Sequence, residues 1–105
     1  MIGVNLLQRV AAWFARASRT NVHTVVAVST VEATHTFSES VAHVLLGNPN
    51  SGPVYYRLDD TAVTTGNGML LPAGAVLQLA PMPGAVLRLI GGSAGMSVTV
   101  DEVTS

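Results

Sequence analysis

Residues 69–100 read MLLPAGAVLQLAPMPGAVLRLIGGSAGMSVTV, and their punctuation decides the fold. Pro72-Ala73-Gly74, Pro81-Met82-Pro83-Gly84 and Gly91-Gly92-Ser93-Ala94-Gly95 separate short apolar stretches. Proline presets φ at one turn position and glycine supplies the positive φ that another requires, so each cluster predicts a chain reversal. Between the reversals the side chains alternate with a period of two. Leu77 and Leu79 oppose Gln78, Leu87 and Leu89 oppose Arg88, and Met96, Val98 and Val100 oppose Ser97, Thr99 and Asp101. That is the periodicity of strands with one face on a core and one toward water.

The same texture extends upstream to Asn21. Val22–Val31 is a long β-branched run, and Thr34–Phe37 alternates. Val41–Leu46 is continuously apolar, as expected of a strand buried on both faces. Asn48-Pro49-Asn50-Ser51-Gly52-Pro53 is a turn, after which Val54, Tyr56 and Leu58 alternate with Tyr55 and Arg57. Asp59–Gly68 is a polar loop. The reading is a mainly β body over residues 21–105: a compact antiparallel β-sandwich or small barrel of about seven to eight strands. Parallel topology is not expected, because no helical stretch lies between the strands.

Residues 1–20 form a separate N-terminal arm. Leu6, Leu7, Val10, Trp13, Phe14 and Ala17 recur at helical spacing, with Asn5, Arg9, Ala12, Arg16 and Arg19 opposite. This pattern predicts an amphipathic α-helix whose last turn places arginines at the negative end of the helix dipole. The uncharged run Val10–Ala15 is too short for the apolar stretch of a secretory signal, so the arm is expected to be retained. No apolar run approaches the 18 or so residues of a membrane span. Membrane-surface binding is not expected of an arm with three charges and no lysine. Leu6, Leu7, Val10, Trp13 and Phe14, with Arg9, Arg16 and Arg19 at the rim, are therefore the candidate partner-contact residues. Packing of this face on the chain's own body is the alternative.

Composition narrows the roles. Hydrophobic residues make up 49% of the 105-residue chain and charged ones 10%, against a usual ~25% charged. A surface built on Thr, Ser, Asn and Gly offers little repulsion between copies. The net charge of −1 gives no ground for specific nucleic-acid binding. All five basic residues are arginines, and the body carries Arg57 and Arg88 against six acids, a balance of −4. Without cysteine there is no disulfide, thiolate metal site or cysteine nucleophile.

No catalytic or cofactor signature emerges. His23, His35 and His43 lack any metal-ligand spacing, so no metal site is expected. Asp59 and Asp60 are adjacent on an extended chain and point apart, so Asp59 reads as a turn initiator. There is no G-x-S-x-G, and the glycines at 91–95 lack the lysine and following helix of a phosphate cradle. An enzyme would announce itself as a buried His–carboxylate pair in a cleft.

Four segments stand in one order: NPNSGPVYYRL (48–58), MLLPAGAVLQL (69–79), VLRLIGG (86–92) and VTVDEV (98–103). Together they resemble the small all-β accessory domains of tailed-bacteriophage virions, in which a Pro-Val-Tyr-x-Arg-Leu strand, a Leu-Pro-Ala-Gly turn and a closing Val-Thr-Val strand recur. The resemblance covers a little over half the chain. It implies a non-enzymatic structural virion protein located on the capsid surface. Most directly it implies a capsid decoration or cement protein that self-associates, a trimer being favoured, and binds the major capsid protein or neighbouring virion subunits. A head–tail or tail adaptor ring is the structural alternative. A carbohydrate- or receptor-binding module is the other, and it would need Tyr55 exposed beside the 59–68 loop.

Overall fold

The structure, a computed structural model, describes residues 20–104. The expected helix and its contact residues Leu6, Leu7, Arg9, Val10, Trp13, Phe14, Arg16 and Arg19 lie outside the described residues. The remainder is mainly β. It contains β1 (Thr20–Val28), β2 (Ala33–Thr36), β3 (Val41–Gly47), β4 (Val54–Arg57), β5 (Met69–Leu71), β6 (Val76–Leu79), β7 (Val86–Gly91) and β8 (Met96–Thr104).

Pairing follows a single rule. Strand β1 pairs with β8, β2 with β7, β3 with β6 and β4 with β5, all antiparallel. The chain is one long hairpin of four rungs, wrapped so that β8 also meets β3 and β7 also meets β4. Two four-stranded sheets result: sheet A in the order β1-β8-β3-β6 and sheet B in the order β2-β7-β4-β5. This wrapped-hairpin order is that of a jelly roll.

Local chemistry places the crossings between sheets. Strand β1 stops at Val28, short of the Val31 that its β-branched run suggests. Ser29 is the reason: its carbonyl accepts from Gly91 N–H at 2.8 Å and its hydroxyl from Val31 N–H at 3.2 Å, which turns the chain toward sheet B. Pro72–Ala75 closes by an Ala75 N–H bond to the Pro72 carbonyl, with Gly74 at φ +74°. Met82–Ala85 closes the same way, with Pro83 second and Gly84 third at φ +73°. Both have the positive third-position φ of type II turns, which selects glycine.

The core lies between the sheets. Val28, Val44, Leu46, Val98 and Val100 from sheet A join Val54, Tyr56, Leu71, Leu87 and Leu89 from sheet B in one buried cluster, sealed by Phe37. Burial of a Leu or Val side chain contributes about 1.5–3 kcal/mol each, so this cluster holds the sheets face to face. The Tyr56 ring lies in it, and desolvation by burial raises its hydroxyl pKa. Strand β3 departs from expectation: Leu45 is exposed on the outer face of sheet A, so β3 is not covered on both sides. No strand or helix from the described residues lies across that face.

Candidate functional site

Three polar clusters and one open face are the features able to carry a role. The first lies on the outer face of sheet B. Arg57 of β4 and Arg88 of β7 are direct cross-strand partners, and like charges so placed repel. Two acids answer them. Arg57 Nε donates to Asp59 Oδ1 at 2.9 Å and its Nη2 donates to Oδ2, while Nη1 donates to the Asn67 carbonyl at 2.8 Å. Arg88 Nη1 donates to Glu32 Oε1 at 2.8 Å and its Nε donates to the Asp59 carbonyl at 2.9 Å. Glu32 Oε2 in turn accepts from Val63 N–H at 2.7 Å.

These bonds fasten the 58–68 loop to sheet B, with Val63 buried beneath it. Asp59 also accepts from Thr61 N–H at 3.0 Å, so it does initiate the turn. The Arg57 hydrogen bond, chiefly, holds the Asp59 carboxyl down at about 2 and raises Arg57 above its usual value. A shallow recess of about 190 Å³ opens beside the cluster, lined by Arg57, Leu58, Asp59 and Met69. Its volume is below the ~300 Å³ of small ligand pockets, and its guanidinium is already committed. The cluster is a fastener for the loop.

The second cluster joins the sheets. Glu102 of β8, almost fully buried, accepts from Ser38 N–H at 2.8 Å and from His35 Nε2 of β2 at 3.2 Å. The Phe37 ring meets the His35 ring edge-on at 5.5 Å. On the outer face of sheet A, His23 Nδ1 bonds Asp101 at 2.6 Å across the β1–β8 pair. His23 and His35 are thus tied to carboxylates distant in sequence. A buried His–carboxylate pair exists, yet neither residue lines the recess beside Arg57 or the one beside Gly47. Among the described residues no group of three His, Asp or Glu side chains is placed to hold a metal.

The third cluster sits at the opposite end of the sandwich. The buried Asn48 side chain donates to the carbonyls of Gly52 (3.0 Å) and Leu71 (2.9 Å) and accepts from Asn50 N–H and Nδ2. Asn50 then bonds the Ser97 backbone in both directions. Asn48 was legible as a turn residue, but its burial as a hub of three chain segments was not.

The open face is the outer side of sheet A. Register aligns Val25, Thr99, Gly47 and Val76 in one row, and His23, Asp101, Leu45 and Gln78 in the next. Val25, Leu45 and Val76 are exposed, at 59%, 37% and 69%. The one carboxylate on these strands' outer positions, Asp101, is bonded to His23. A recess of about 180 Å³ lies at the end of the Gly47 row, between Pro49, Ala75, Val76 and Thr99. Gly47 permits a close approach there: a Cβ would stand 2.3 Å from Thr99 Oγ1, which would have to shift. Tyr55, by contrast, is half-buried on sheet B with Gly68 pressed against it, and Tyr56 faces the core. The two rings form no joint stacking platform.

No protein-family model matches the chain, no curated protein matches it in sequence, and no solved structure matches it.

Proposed function

We propose that the chain is a non-enzymatic structural protein of a bacteriophage virion: a capsid decoration protein that associates with its own copies and seats on the major capsid protein. The observation that carries this reading is the outer face of sheet A. It exposes Val25, Leu45 and Val76 among hydroxyl and amide side chains, its one acid is bonded to a histidine, and no described element covers it. Such a face offers a partner shape and apolar contact more than charge. The jelly-roll order agrees with the reading, since viral capsid domains use it, although lectins and cupins do as well. The resemblance of residues 48–103 to virion accessory domains supplies the third support. On this account the N-terminal residues Leu6, Leu7, Val10, Trp13 and Phe14, rimmed by Arg9, Arg16 and Arg19, anchor the protein to a neighbouring subunit.

Quantitative mass spectrometry of virions carrying the protein tests the proposal. A copy number matching the capsid lattice supports decoration, and one matching a single ring assigns the protein to the head–tail or tail adaptor. Its absence from purified virions overturns the reading.

A further inference from the structure

We infer that strand β1 pairs edge to edge with β1 of a second copy of this chain, antiparallel across a two-fold axis. This rests on the self-association in the reading above and on no part of its virion assignment. Strand β8 occupies one side of β1 along its whole length, from Thr20↔Thr104 to Val28↔Met96. In an antiparallel ladder alternate residues turn their N–H and C=O groups to opposite sides, so among the described residues the far side of β1 presents an unpaired row.

The four sheet edges differ in how they are protected. Strands β2, β5 and β6 are four, three and four residues long, too short to template another chain. Strand β1 has nine residues, TNVHTVVAV, with no proline, no glycine and no Asp, Glu, Lys or Arg. Its register with β8 is unbroken, so no bulge twists it away. Among the described residues, this edge alone has no shortness, charge, proline, bulge or covering element to blunt it.

Charge identifies the occupant. A strand meeting its own copy across a two-fold axis places each residue near its symmetry mate, and like charges so placed are destabilising. Strand β1 meets that condition: its only ionisable side chain, His23, is already bonded to Asp101. A charged partner strand would find nothing complementary on it. Apolar contact agrees. Val22 shares the inward side of β1 with Val26 and Val28, yet it is 43% exposed. Full overlap centres the axis on Thr24 and sets Val22 beside the partner subunit's Val26, which extends the core across the junction. Alone, this pairing makes a dimer, and combined with a threefold contact it makes a hexamer, so the chain count is even.

The chain has no cysteine, so a single introduced one reports its own environment. In directly opposed antiparallel residues the Cα atoms stand ~4.5–5.5 Å apart, within reach of a disulfide. Full-length T24C and V25C, the two candidate axis positions, are oxidised mildly beside T34C, which lies on an edge strand of sheet B. One of the first two is expected to give a cross-linked dimer within minutes, and T34C none. Light scattering of the unmodified protein is expected to give an even number of 10.8 kDa chains. V25K, at an exposed position, is expected to weaken association at least tenfold with an unchanged circular dichroism spectrum. An odd-numbered oligomer, or an oligomer that neither cysteine cross-links and V25K leaves intact, overturns the edge pairing while self-association stands. A folded monomer overturns both.

Discussion

His35 and Glu102 lie 67 residues apart in sequence and meet at 3.2 Å between the two sheets. The contact joins β2 of sheet B to β8 of sheet A, and Ser38 N–H holds the other carboxylate oxygen. Each sheet therefore carries one half of a polar clasp at the edge of the apolar core. Removing one partner of such a buried pair is more damaging than removing both, because a lone buried polar group keeps its desolvation cost.

Glu102→Ala is accordingly expected to cost about 2–4 kcal/mol, with the Ser38 N–H and His35 both left without their acceptor. His35→Phe with Glu102→Leu is expected to recover a good part of that loss. Urea unfolding of His35→Phe, Glu102→Leu and the double variant, beside Glu102→Ala, gives the coupling energy directly.

The Arg57–Asp59 pair makes loop attachment sensitive to acid. The folded Asp59 carboxyl sits at about 2, below its ordinary 3.8. A lowered carboxylate contributes stability above its unfolded value and loses it as pH falls through its folded value. The wild-type protein is thus expected to lose stability relative to Asp59→Asn between pH 3.8 and about 2, and to hold a constant difference from neutral pH down to about 5. Thermal midpoints of both proteins across that range check it.

Gly47→Ala is expected to destabilise by about 1–3 kcal/mol, because its Cβ must displace the Thr99 hydroxyl from the outer face of β3. Adding Thr99→Ala removes the colliding oxygen and is expected to restore most of the loss. Chemical denaturation of the single and double variants separates this close approach from a general intolerance of β3 to substitution.

At the other end of the sandwich, Asn48→Asp replaces a donor with an acceptor facing the Gly52 and Leu71 carbonyls. The cost is expected to be about 3 kcal/mol or more at neutral pH and smaller in acid, where the carboxyl is protonated and can donate to one of them. Asn48→Ala, without the repulsion, is expected to lose less at neutral pH. Comparing denaturation midpoints at pH 7 and pH 4 distinguishes the two effects.

How much of this was legible beforehand follows from the range of each interaction. The alternation of Leu77, Gln78 and Leu79, or of Leu87, Arg88 and Leu89, is written in adjacent residues, as are the Pro-Gly turns. Both survived into the structure as strands β6 and β7 and their flanking reversals. The wrapped pairing of β1 with β8 was not legible, because no local signal specifies which distant strand a given strand will meet. For the same reason the partners of His23 and His35 were not legible, although those partners, Asp101 and Glu102, are neighbours in the chain. Val41–Leu46 misled in another way. A continuous apolar run looks doubly buried, whereas Leu45 stands on the exposed outer face of sheet A. The open face of sheet A could be found only once register had aligned Val25, Thr99, Gly47 and Val76 from four strands.

The central claim is that this chain is an assembly protein. Light-scattering mass of the full-length protein, measured over a wide concentration range, tests it most directly. The account predicts a stable oligomer that persists on dilution and a loss of mass when the edge strand is charged by V25K. A folded species that stays at 10.8 kDa throughout would contradict it.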